Sequence, residues 1–209
     1  MVSIIPSRRA VAKASGRHRL VIEKVYCVDE TGGNWFAERG KDDIYLGGVS
    51  LSLNGVEKIP YYKVGQFNDG DNRTYEPARE FASFDQGGNS AVVMVLVEKD
   101  AGKQMQSVLD DLVKENELAR TQSIRQFQNE PGFDWDDLEG GDLSSQIWSA
   151  LMKEAIALTK KALIKWYKKS LRDEVFQPKT IFYSNSSGRQ KMYFTGYKGT
   201  YVVYYRWTQ

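Results

Sequence analysis

The feature that most constrains the fold is a short apolar run, Ala-Val-Val-Met-Val-Leu-Val, at residues 91–97. The run is rich in β-branched residues and too short for a typical buried helix, so it predicts a central, buried β-strand. Other segments show the alternation or the β-branched and aromatic content of strands. The predicted strands are 19–28, 43–53, 56–64, 80–84, 91–97, 179–184, 190–194 and 200–207.

Turn-forming residues indicate how the first strands connect. Asn54 and Gly55 tolerate the positive φ of a type I′ turn, which predicts a hairpin between the second and third strands. Pro60 cannot donate a backbone hydrogen bond, so it favours an edge position for the third strand. Residues 66–79 contain a cluster of turn formers, Asn-Asp-Gly-Asp-Asn, and are predicted to form a loop.

The periodicity changes to helical spacing after the central strand. Apolar residues between 105 and 113 recur three and four positions apart, and Pro131 stops this helix. A second helix is capped by Asp142 or Ser144 and ends before Pro178. Strands that flank a helical insertion must share a sheet. We therefore expect a mainly β (α+β) fold, an antiparallel β-sandwich of about eight strands with a two-helix insertion.

The same reasoning predicts the domain organisation. Residues 1–18 form a flexible basic arm, and residues 19–209 form a single β-sandwich domain with its helical insertion at 103–175. The N-terminus lacks the apolar stretch of a secretory signal, and no run of 18 or more apolar residues occurs. The expectation is a protein made in the cytoplasm; any export would use a route without a signal peptide.

Residue counts exclude several classes of protein. The single cysteine excludes an internal disulfide framework, and the single histidine argues against histidine-based metal sites and catalysis. Nucleophile-elbow, P-loop and zinc-ligand motifs do not occur in the sequence. A net charge of +2 does not indicate a nucleic-acid partner. These observations favour a protein that is not an enzyme.

Carboxylates follow or begin several predicted strands. Asp29 ends the first strand, Asp43 begins the second, and Glu98 and Asp100 follow the central run. Calcium takes six to eight oxygen ligands in loose geometry, so carboxylates at adjacent strand ends suit it. Like charges brought together would repel one another without a cation. The alternative is that each acid is solvated or pairs with a nearby lysine, Lys41 or Lys99.

Residues 19–100 resemble a C2 domain, the calcium- and phospholipid-binding β-sandwich. In that family the first strand ends in an acidic loop, a Ser-Asp-Pro-Tyr segment opens the next strand, and a later strand ends in Asp-x-Asp. Here Lys-Asp-Asp-Ile-Tyr-Leu at 41–46 stands in place of the first motif, and Glu-Lys-Asp at 98–100 in place of the second. The resemblance implies a calcium cofactor. The implied ligands are Asp29, Asp43, Glu98 and Asp100, with Glu30 or Asp42 auxiliary.

The second predicted helix has a basic face opposite an apolar face. Basic amphipathic helices with tryptophan can lie in a membrane interface. The candidate membrane contacts are Trp148, Lys160, Lys161, Lys165, Trp166, Lys168 and Lys169. An apolar stripe is also what any helix needs to pack on a sheet, so packing is the alternative interpretation.

Three functions remain open from the sequence. The first is a non-enzymatic C2-like binding module that docks on an anionic membrane or a protein partner, with calcium as its cofactor. The second is a bacterial effector or toxin whose basic helix acts on membranes. The third is a hydrolase that uses the acidic, aromatic loop at 133–141, since paired carboxylates can perform acid–base chemistry.

Overall fold

The elements of the chain are known from a computed structural model. It describes residues 16–30, 41–52, 55–85, 90–98, 104–128, 148–150, 153–154, 157–158, 161, 174–184 and 186–209. Nine strands and one long helix occur in these ranges. They are β1 (Arg17–Asp29), β2 (Asp42–Ser52), β3 (Val56–Phe67), β4 (Asn72–Asp85), β5 (Ser90–Glu98), α1 (Gln104–Gln128), β6 (Glu174–Val175), β7 (Lys179–Phe182), β8 (Gln190–Gly196) and β9 (Gly199–Thr208).

The strands form two antiparallel sheets. The first sheet has the order β4-β1-β9-β8, and the second has the order β3-β2-β5-β6, with β7 also paired to β5. The connection from β1 to β2 therefore crosses from one sheet to the other. The prediction of a mainly β, antiparallel architecture in two layers is confirmed.

β6 and β7 behave as one interrupted strand. Both pair with β5 on the side away from β2, through Val97 opposite Val175 and Val92 opposite Ile181. Between them, the Phe176 N–H donates to the Leu96 carbonyl at 3.1 Å. When β6 and β7 are counted as one strand, the described strands match the predicted number of about eight.

The main core lies between the two sheets. Leu20 and Ile22 of β1 meet Ile44 and Leu46 of β2, and all four side chains are fully buried. Alternate residues of β5 also point into this core, while the intervening valines form a second cluster on the outer face. β5 is therefore buried on both faces, which explains its unbroken apolar sequence.

The helix α1 covers the outer face of the second sheet. Leu109 and Leu112 are fully buried there against Val93 and Val95 of β5. The described residues at 148–150, 153–154, 157–158 and 161 are also helical. The first helix of the insertion is thus confirmed, and its apolar stripe packs on the sheet.

The predicted loop at 66–79 is wrong. β3 continues to Phe67, β4 begins at Asn72, and only a four-residue turn separates them. β4 is an edge strand with mostly exposed, polar side chains, so it lacks the apolar alternation by which strands are recognised. Its long pairing with β1 stabilises the extended form instead. Pro60 does lie in an edge strand, as predicted, because β3 ends the second sheet.

Candidate functional site

Several strand ends meet at one end of the sandwich. β1 ends there at Asp29, and β2 begins there at Asp42, opposite Phe67 at the end of β3. Glu98 at the end of β5 lies opposite Ile44. We call this region the carboxylate end; its acidic residues are Asp29, Glu30, Asp42, Asp43, Asp69, Asp71 and Glu98. The strand topology therefore brings these acidic strand ends to one end of the molecule.

The turn between β3 and β4 is hydrogen-bonded to the end of β1. The Cys27 N–H donates to the Asp71 carbonyl at 2.9 Å, and the Gly70 N–H donates to the Cys27 carbonyl at 3.0 Å. The Glu30 N–H donates to Asp69 Oδ1 at 2.7 Å. Gly70 has a φ of 81°, a conformation that glycine adopts at little cost. These bonds hold two more carboxylates beside the strand ends.

Asp42 joins the two sheets at this end. Its carboxylate accepts a hydrogen bond from the Tyr201 hydroxyl of β9, with an O–O distance of 2.5 Å. Asp42 is 5% exposed and Tyr201 is fully buried. Burial and the neighbouring Asp42 raise the pKa of Tyr201, so its phenol stays protonated and acts as the donor.

The Cys27 side chain is a neighbour of both Tyr201 and Asp42. It is fully buried, and burial raises the pKa of its thiol to about 11. A neutral, buried thiol is a poor nucleophile. Cys27 therefore acts as a small apolar core residue, as its place in an alternating strand predicts.

Glu30 lies among several negative charges. Its pKa is raised first by desolvation, and then by the negative charges of Asp42, Asp69, Asp29 and Asp71. Its Oε2 atom is buried and has no hydrogen-bond partner within the described parts of the chain. Mutual repulsion of this kind disfavours the ionised form unless a cation compensates it.

The four predicted calcium ligands have different surroundings. Asp29 is exposed at the end of β1, and Glu98 is 9% exposed at the end of β5. Asp43 accepts a hydrogen bond from Lys63 Nζ at 2.7 Å, which is the kind of lysine pairing that the alternative interpretation expects. Asp100 lies outside the described residues. Within the described ranges, no three acidic, histidine or cysteine residues form a group that could hold a metal ion.

Asp42, which the resemblance makes auxiliary to Asp43, is the buried aspartate of the pair. Side chains alternate along a strand, and Ile44 and Leu46 point into the core, so Asp42 points inward and Asp43 outward. That alternation could be predicted from the sequence. The place of Asp69 and Asp71 at the carboxylate end could not, because the turn that carries them belonged to the predicted loop. The calcium site itself stays a prediction.

The predicted membrane contacts are only partly described. Trp148 is partly buried and packs against the outer apolar cluster of the second sheet, whereas Lys161 is exposed. Lys160, Lys165, Trp166, Lys168 and Lys169 lie outside the described residues, as does the acidic loop at 133–141. No helix in the described part of the chain is long and apolar enough to cross a membrane.

The single histidine lies at the opposite end of the sandwich. His18 Nε2 is 2.7 Å from Ser90 Oγ, and both residues are buried. The imidazole stacks on Tyr183 with ring centroids 4.0 Å apart and also contacts Phe84 and Trp207. Burial lowers the pKa of His18. A serine and a histidine sealed by three aromatic rings have no access to a substrate, so this pair is structural.

Comparison with known proteins adds no further assignment. No protein-family model, curated protein or solved structure shows a significant match to this chain. Function must therefore be argued from the geometry above.

Proposed function

We propose that this protein is a non-enzymatic, C2-like binding module whose carboxylate end takes up calcium and docks on an anionic membrane or a protein partner. The observation that carries the proposal is the charge crowding around Glu30. Desolvation raises the pKa of Glu30, and four aspartates from β1, β2 and the β3–β4 turn raise it further. Such crowding lowers the stability of the cation-free protein and is relieved when a cation binds.

The donor chemistry supports calcium over a softer metal. Every candidate ligand at the carboxylate end supplies oxygen, and one carboxylate oxygen of Glu30 is buried without a hydrogen-bond partner in the described chain. Calcium accepts such ligands at loose geometry and leaves positions for oxygens of a partner. Without the ion, like charges move apart, so we expect calcium binding to draw these side chains together.

The competing functions have less support. An effector whose basic helix acts on membranes would first have to remove Trp148 from the outer apolar cluster, at a cost in buried apolar area. A hydrolase would have to use the acidic, aromatic loop at 133–141, and the sequence contains none of the nucleophile-elbow, P-loop or zinc-ligand motifs of enzyme sites. The binding module would use the acidic side chains of the carboxylate end, which lie where β1, β3 and β5 end and β2 begins.

Calorimetric titration tests the proposal. We expect calcium, but not magnesium at the same concentration, to bind the wild type, and Glu30→Gln to weaken that binding at least tenfold. Asp111→Asn is the matched control, because Asp111 is an exposed acid on α1, away from the carboxylate end. Equal binding by the Glu30→Gln and Asp111→Asn variants would contradict the proposal.

A further inference from the structure

The outer face of the first sheet carries an unusual cluster of lysine and tyrosine side chains. Lys24 of β1, Tyr204 of β9 and Lys191 of β8 lie side by side in one row across the sheet. Tyr26 and Tyr193 lie on either side of Val202 in the next row. We call Lys24, Tyr26, Lys191, Tyr193 and Tyr204 the lysine–tyrosine face. α1 packs on the other sheet, so this long helix does not cover the lysine–tyrosine face.

The two lysines contact aromatic rings in place of carboxylates. Lys24 Nζ lies 5.3 Å from the Tyr26 ring centroid and 5.9 Å from that of Tyr204. Lys191 Nζ lies 5.4 Å from the Tyr193 centroid. Neither lysine forms an ion pair with an acid in the described part of the chain. Their positive charges are therefore available to an anionic partner.

The acid that precedes Lys24 on β1 is already neutralised. Glu23 forms ion pairs with Arg206, at 2.8 Å, and with Arg189. Two arginines thus surround one carboxylate, and these three residues together with Lys24 and Lys191 carry a net positive charge. This charge complements a negatively charged surface.

The face also exposes apolar area. Tyr193 is 47% exposed, and Val28, which follows Tyr26 on the same side of β1, is 46% exposed. Tyrosine prefers the membrane–water interface, where its ring is sheltered and its hydroxyl is hydrated. Lysine side chains extend their charge towards phosphate groups while their methylenes cover apolar surface. A sheet face with these residues suits the headgroup layer of a bilayer.

We infer that the lysine–tyrosine face docks on anionic phospholipid membranes without calcium. Single-stranded nucleic acid is the less suitable partner, because proteins that bind it hold the backbone in a positively charged groove, whereas these side chains lie on the face of a sheet. The face lies on a sheet surface, whereas the carboxylate end lies at one end of the sandwich. The inference is therefore independent of the proposed calcium site, and a measurement in EDTA separates the two.

Vesicle sedimentation in EDTA tests this inference. The probes are vesicles of phosphatidylcholine alone and of phosphatidylcholine with phosphatidylserine, together with a fluorescent single-stranded oligonucleotide. We expect binding to the anionic vesicles only, and a loss of roughly tenfold or more in the double variant Lys24→Gln/Lys191→Gln. Lys114→Gln/Lys153→Gln removes the same charge from exposed positions of the helical insertion and should bind as the wild type does.

The inference is overturned if the wild type does not bind anionic vesicles in EDTA, or if both double variants lose the same affinity. It is also overturned if the protein binds the oligonucleotide in place of vesicles. Circular dichroism of each variant confirms that it is folded before its binding is compared. If the wild type binds anionic vesicles only in calcium, the inference fails while the proposed function stands.

Discussion

The Tyr201 hydroxyl and the Asp42 carboxylate form a buried hydrogen bond, 2.5 Å long, that links the first sheet to the second at the carboxylate end. Removing the donor leaves a buried carboxylate with one partner fewer. We expect Tyr201→Phe to lower the free energy of unfolding by about 1–3 kcal/mol, measured by urea denaturation. Tyr204→Phe on the outer face is the control and should change it by less than about 0.5 kcal/mol. Equal effects of the two variants would show that the buried bond contributes no stability of its own.

Glu30→Gln should stabilise the calcium-free protein. The raised pKa of Glu30 means that its charged form is disfavoured in the folded state, so a neutral isostere removes an unfavourable term. Glu30 is partly exposed, and screening limits the gain to less than about 1 kcal/mol. Urea denaturation in EDTA at pH 7 measures it. A loss of stability in this variant would mean that Glu30 makes favourable contacts that outweigh the repulsion.

His18 should make the protein less stable in mild acid. Its pKa is lowered from the ordinary value of 6.5, so the unfolded chain binds the proton first as the pH falls. The stabilising contribution of the neutral imidazole is fully present above about pH 6.5. Below that pH, the free energy of unfolding declines by at most about 1.4 kcal/mol per pH unit. Carboxylates titrate in the same range, so the difference between wild type and His18→Gln isolates the histidine.

The protonation of His18 can also be followed directly. It is the only histidine in the chain, so its imidazole NMR signals need no assignment by mutation. We expect them to titrate below pH 6.5 while the protein is folded. A titration midpoint at or above 6.5 would contradict the burial of the ring.

Cys27 should not react with a thiol reagent in the native protein. It is fully buried, and its pKa is raised to about 11, so both access and the thiolate are lacking. We expect no modification by Ellman's reagent without denaturant, and one thiol per chain in concentrated urea. Rapid modification of the folded protein would show that the carboxylate end opens freely.

Leucines of α1 test whether the helical insertion is part of the packed structure. Leu112 is fully buried against the second sheet, whereas Leu118, on the same helix, is 59% exposed. We expect Leu112→Ala to lower the free energy of unfolding by about 2–4 kcal/mol. Leu118→Ala should change it by less than about 0.5 kcal/mol. Equal, small effects would favour a helix that is loosely held and able to act elsewhere.

Strong, regular patterns in the sequence were sufficient to predict the layered β architecture of the fold. The run at 91–97 identified the central strand because both faces of β5 are buried. The 3.6-residue spacing identified α1, and Pro60 identified an edge strand. The polar edge strand β4 was missed, because its side chains are mostly exposed and its stability comes from pairing with β1, which local sequence does not report.

The candidate site was harder to predict than the fold. The sequence identified the end of the molecule at which acids gather, since strand ends follow from the strand pattern. It did not identify Asp69 and Asp71, which reach β1 only through tertiary hydrogen bonds. Tyr201 was also missed as the partner of Asp42, because the two residues lie 159 positions apart.

Thermal unfolding in EDTA and in a calcium series shows whether the carboxylate end binds calcium. A ligand that binds only the folded state raises the unfolding midpoint as its concentration increases. We predict a saturable rise with calcium that magnesium does not reproduce, and that is absent in Glu30→Gln and present in Asp111→Asn. An unchanged wild-type midpoint at millimolar calcium would contradict the proposed cation site and the function built on it.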